Sequence, residues 1–240
     1  MFPYDPQLAA ATRNSPQSIA EVLQALQSID AICADGDGLR WFNRLYWEVT
    51  QKVAGLASGS AFHDPPWLAE LDVQFAQLYL GALHCWIAGG RCPGCWKALF
   101  AVRSNAQLAR IQFALAGINA HINRDLAAAI TATCSTRDTV PEHGTPQYTD
   151  YTAINSTLEE LIETAKRELH VRLLGDGLPE VSRLEETVAA WGTSAAREQA
   201  WNHAEALWQL RELPMIAAGY LDGLDGLTTF GNKALLVPVP

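Results

Sequence analysis

One stretch of the sequence is too polar for its surroundings: Gly117-Ile118-Asn119-Ala120-His121-Ile122-Asn123-Arg124-Asp125-Leu126, set inside an otherwise apolar helical run. His121 and Asp125 are four residues apart, so on a helix they share one face about a turn apart, in reach of one proton, one substrate atom or one metal ion. A carboxylate fixes the tautomer of an imidazole and raises its basicity, which makes His121 the candidate general base or acid and Asp125 its orienter. Asn119, in the same segment, is a candidate for stabilising developing negative charge. A buried polar group must be paired, so this density of donors and acceptors calls for partners on neighbouring helices or for a ligand between them. The alternative is a hydrogen-bond network that only holds helices in register.

Other polar side chains are candidates to converge on that pair. Arg197 is expected to hold an anionic or carbonyl oxygen, while Asp72, Asp150 and Asn155, with the aromatic rings of Tyr46, Trp67 and Tyr79, are candidate substrate contacts. Aromatic walls beside a few placed polar groups are how hydrophobic small molecules are held. If Asp72, His121, Asp125 and His203 met at one point, two imidazoles and two carboxylates would suit zinc or iron with an open position. No cofactor is required by this reading; zinc or iron is the alternative. Cys92-Pro93-Gly94-Cys95 has the spacing of redox pairs and half zinc sites, yet no strand precedes it and no second such pair follows, so inert thiols are expected.

The chain resembles an uncharacterised family, a domain of unknown function found in bacterial and fungal proteins. The resemblance runs through Asp37-Gly38-Leu39, Trp41 to Tyr46, Val49-Thr50, Trp67 to Tyr79, the whole Gly117–Leu126 segment, Asp150-Tyr151, Asn155, and Arg197 to Trp201. It covers nearly the whole chain and implies a single helical domain, cytosolic or secreted. It supplies no reaction and no cofactor, and the Cys92–Cys95 insert lies outside its pattern.

These residues need helices to position them. Ser15 followed by Pro16 reads as a helix start, with Ile19, Val22, Leu23, Leu26 and Ile29 at helical spacing. A second stripe runs from Leu39 through Phe42, Leu45, Tyr46, Val49 and Val53 to Leu56, and a third from Trp67 to Trp86 until Gly89-Gly90. The polar segment sits in a long helix, roughly 105 to 133. A loop over 135–147 precedes a helix through Leu158 and Leu169, Pro179 opens a short helix to Ala190, and Thr193 caps a last one that ends at Pro214. The expectation is an all-α, single-domain bundle of roughly eight helices over 15–223. It is flanked by an irregular N-terminal arm (1–14), a candidate lid, and an irregular, apolar C-terminal tail (224–240).

Composition sets the outer limits. Of 240 residues, 49% are hydrophobic and 18% charged, which excludes intrinsic disorder. A net charge of −9 without a basic patch argues against nucleic acid and anionic membranes as partners. No window reaches the roughly 18 apolar residues of a membrane span, and five cysteines in a large domain point to a reducing cytoplasm. Phosphate-binding glycine loops, GxSxG elbows and HExxH motifs are absent. The expected function is acid–base transformation of a hydrophobic small molecule, by cyclisation, isomerisation or elimination. The alternatives are a metal-dependent hydrolase on the same His and Asp positions, or a non-catalytic helical module that binds a ligand or partner.

Overall fold

A computed structural model describes residues 2–57, 62–175 and 192–238, and the described residues are all-α without strands. The elements are α1 (Asp5–Ala11), α2 (Ile19–Ile32), α3 (Leu39–Ala57), α4 (Pro65–Ile87), α5 (Gly94–Ala101), α6 (Arg110–Ala120), a π-helical turn (His121–Asp125) and α7 (Leu126–Arg137). They continue with α8 (Pro146–Ala153), α9 (Asn155–Gly175), α10 (Thr193–Gln209) and α11 (Pro214–Leu235).

The organising element is the continuous rod of α6, π turn and α7. It is buried nearly all round from Ile111 to Ile130, which is what a helix apolar on every face requires, and α3, α4, α10 and α11 surround it. Gly117 sets the closest approach in this shell. A Cβ there would lie 2.2 Å from Cγ of Phe42, so only glycine lets α3 seat its aromatic face on the rod. Asp64 starts α4 by accepting the Trp67 N–H, and Ser18 starts α2 by accepting the Glu21 N–H. The α2 start falls three residues later than Ser15-Pro16 suggests; the Pro16 carbonyl instead accepts Gln77 Nε2 at 2.8 Å.

Both termini depart from the expectation of irregular segments. In place of a loose arm, residues 5–11 form α1, whose Leu8 is fully buried. Asp5 meets Arg103 at 2.9 Å, and Arg103 meets Asp37 at 2.6 Å, a buried ion triad that fastens α1 to the body. The C-terminal segment is mostly helix too: α11 runs to Leu235, although glycines at 219, 223, 226 and 231 dilute its helical signature. Asp225 accepts the Gly94 and Cys95 N–H groups at 2.7 and 3.0 Å, and Asn232 Nδ2 donates to the Cys95 carbonyl, so α11 docks on the start of α5. The helix expected from Pro179 to Ala190 lies outside the described residues. No described helix is long and apolar enough to cross a membrane.

Candidate functional site

The polar segment of the rod does not form one cluster; its members serve three different interfaces. Asn119 Nδ2 donates to Asn232 Oδ1 at 2.8 Å and to the Thr228 carbonyl, and Asn123 Nδ2 donates to Asn119 Oδ1, all toward α11. Asn119 is therefore a docking residue rather than a stabiliser of negative charge beside His121. Asp125, with no exposed surface, accepts Trp96 Nε1 at 2.8 Å on one oxygen and Arg124 Nη1 at 2.7 Å on the other. Of these polar side chains only His121 borders the cavity described below.

The π turn explains part of this divergence. The Leu126 N–H reaches back five residues to the His121 carbonyl, a wider turn than the α-helical one, and such turns recur at functional sites. His121 Nδ1 lies 3.5 Å from Asp125 Oδ2, at the outer limit of a hydrogen bond. The contact favours a proton on Nδ1 and leaves Nε2, buried and without a partner among the described residues, as a bare acceptor. Phe75 stacks on the imidazole at 3.4 Å between ring centres and the edge of Tyr46 meets it at 4.5 Å. Burial pushes the His121 pKa below its ordinary value despite the nearby carboxylate, so the ring is neutral at pH 7.

His121 lines a cavity of about 90 Å³ between α3, α4, the rod, α9 and α10. Its walls are apolar: Phe42, Leu45, Val49 and Val53 from α3, Leu68, Leu71 and Phe75 from α4, Ile118, Ile122 and Leu126 from the rod, and Leu158 and Ile162 from α9. Six polar side chains enter it, namely Tyr46, Thr50, Asp72, His121, Thr193 and Arg197. Volumes of drug-sized pockets begin at about 300 Å³, so this cavity suits a compact guest.

Asp72 is the most unusual of the six. It makes no hydrogen bond or ion pair among the described residues, and loss of water raises its pKa to about 7, with the charge of Arg197 acting in the opposite direction. Tyr46 remains a neutral phenol: burial first, then the Asp72 charge, lift its pKa well above the ordinary value. Arg197 is anchored by Nε donating to Asn155 Oδ1 at 2.7 Å and Nη2 donating to the Tyr151 carbonyl at 2.8 Å, with its guanidinium 4.0 Å over the Tyr151 ring. Asn155 thus positions Arg197 and does not itself line the cavity.

The remaining candidates lie elsewhere. Tyr79 is buried in the core and donates to Asn43 Oδ1, and Trp67 packs against Trp201 with its ring fully covered. Asp150 braces the start of α4, accepting the His63 and Asp64 N–H groups and contacting His63 Nδ1 at 2.9 Å. His203 pairs with the Tyr220 hydroxyl at 2.8 Å, away from His121. The expected meeting of Asp72, His121, Asp125 and His203 does not occur, and no three His, Cys, Asp or Glu side chains are grouped for a metal among the described residues. Cys92 and Cys95 carry free thiols. Sequence reading missed Thr50 and Thr193 as lining residues; the signal for Thr50 is its place one turn beyond Tyr46 on the stripe of α3.

No curated protein and no solved structure is significantly similar to the chain. A family model matches residues 19–238, which spans the rod, the cavity and every lining residue described here. The chain belongs to that family, a family of unknown function designated DUF5995.

Proposed function

We propose that the protein binds a compact, mainly apolar molecule in the cavity and transforms it by proton transfer, with Asp72 as the group that exchanges the proton. The observation that carries this reading is a carboxyl without a partner, titrating near neutrality, in an apolar cavity beside a neutral imidazole and a neutral phenol. A general acid–base group works best when its pKa lies near the operating pH, and structural carboxylates are normally paired and ionised. Asp72 in its protonated form gives a proton to carbon or oxygen and, once ionised, takes one back. Tyr46 supplies a hydroxyl donor, and Arg197 a fixed positive charge for an oxygen that gains electron density. Isomerisation, elimination and cyclisation all run on such a donor–acceptor set. His121 and Asp125 contribute differently from the sequence expectation: the imidazole forms the polar side of the wall, and Asp125 locks the rod to Trp96.

The test works without an identified product. Compact cyclic ketones and keto acids incubated with the protein in D2O should exchange carbon-bound protons, read by NMR. Asp72→Asn should slow this exchange by about 10²-fold or more, and equal exchange by the variant would overturn the role of Asp72. A second reading, a non-catalytic ligand-binding module, is favoured by one observation: His121 Nε2 has no accessible surface. It predicts binding of such molecules without exchange above the buffer rate.

A further inference from the structure

The cavity contains a charge that the described protein does not neutralise at close range. Arg197 is 4% exposed, and among the described residues no carboxylate lies within ion-pair distance of it. Nε and Nη2 are occupied by Asn155 and Tyr151, and Nη1 has no hydrogen-bond partner among the described residues. A buried, unpaired cation is costly, and burial lowers the Arg197 pKa for that reason. Against burial, Arg197 is influenced first by Tyr151 and then by Asp72; Asp72 and Arg197 form no ion pair, and both line the cavity. A guanidinium with a free N–H and a carboxyl with nothing to bond thus face the same small apolar volume.

We infer that the natural guest carries one negative charge, a carboxylate on a compact apolar body, held between the open edge of the Arg197 guanidinium and the Asp72 carboxyl. This inference rests on the proposed ligand site and names its substrate class. The planar guanidinium fork suits a carboxylate, and the apolar walls of α3, α4 and α9 suit the body. One guanidinium balances one charge. A phosphate monoester would bring up to two charges into the same space, where Arg197 is the one cation among the described lining residues. The same balance requires Asp72 to be protonated in the complex, where it donates to the carboxylate instead of repelling it.

Binding is therefore linked to a proton. Among the described residues, the titratable or charged groups that face Asp72 across the cavity are Arg197 from α10, Tyr46 from α3 and His121 from the π turn, and the described lining of α9 is Leu158 and Ile162. Arg197 stays charged, and Tyr46 and His121 stay neutral around pH 7, so among these described groups Asp72 is the one that changes state there. Above its pKa, each pH unit should weaken carboxylate binding about tenfold, because one proton must be taken up.

Isothermal titration calorimetry with benzoate and cyclopentanecarboxylate tests this, with benzamide and cyclopentanecarboxamide as neutral isosteres and benzene as the bare body. At pH 6 the carboxylates should bind at least tenfold more tightly than their amides, and the advantage should fall about tenfold per unit above pH 7. Asp72→Asn, whose amide N–H takes the place of the protonated carboxyl as donor, should make carboxylate affinity independent of pH over this range. Arg197→Lys should lose the preference for carboxylate; if that variant unfolds, Asp72→Asn still decides the matter. Amides binding as tightly as carboxylates, or benzene alone binding, would overturn the inference while leaving the cavity as a ligand site. No binding by any probe to folded protein would overturn both.

Discussion

At the residue scale, spacing points to the right segment but to the wrong partnership. His121 and Asp125 stand four apart and do approach each other, but 3.5 Å is a marginal contact, and Asp125 is held more closely by Trp96 and Arg124. The Trp96 indole is separated from Asp125 by 29 positions in sequence, so no local pattern reveals it. Asp72 is legible as a lone carboxylate on an apolar helix face, and its lack of partners is a tertiary fact. Trp96→Phe preserves most of the ring volume and removes the indole donor to a buried carboxylate. It should cost about 1–3 kcal/mol of stability, measured by urea denaturation, the typical penalty for an orphaned buried group. A loss below about 0.5 kcal/mol would show that Asp125 is satisfied by Arg124 alone.

At the element scale, the helices with strong apolar stripes are readable: α3 and α4 fall where the periods of Leu39–Leu56 and Trp67–Trp86 put them. What the stripes do not encode is the π turn, since a one-residue widening leaves composition untouched. Nor do they reveal α1, which is too short for a sustained period and is held by Leu8 and the Asp5–Arg103 contact. Helix α11 is legible only through its partners on α5 and α6, because its glycines dilute the helical signature. Gly117 shows how closely the elements fit. Gly117→Ala improves helix propensity by up to about 1 kcal/mol, yet its Cβ would collide with Phe42. Overpacking of this kind costs about 1–3 kcal/mol, so a lower melting temperature is the expected net result. Because Phe42 also lines the cavity, the variant should weaken binding of benzoate as well, whereas a rise in melting temperature would show that α3 yields without cost.

At the scale of the whole molecule, the fold is a buried rod inside a shell of helices, with a cavity where α9 and α10 close over α3 and α4. That an all-α domain forms is readable from composition and periodicity; that the shell leaves a cavity there is not, because it depends on how side chains from five elements fail to fill a volume. The cavity leaves its mark on the stability of the entire chain. A carboxyl whose pKa is raised on folding is harder to ionise in the folded state, so its contribution to stability is lost as pH rises from about 4 to about 7 and is constant above. His121, with its pKa lowered, acts oppositely: its contribution is lost as pH falls below about 6.5. Asp72→Asn removes only the first effect, so its stability relative to the unaltered protein, measured by urea denaturation, should improve steadily from pH 5 to pH 7 and then level off. A difference independent of pH would mean that Asp72 has an ordinary carboxyl pKa. The most direct measurement is the titration of that carboxyl itself, followed by carbon-13 NMR of aspartate-labelled protein and assigned with Asp72→Asn. A midpoint near 7 is the predicted result; a midpoint near the ordinary value of about 4 would contradict the proposed proton-transfer role.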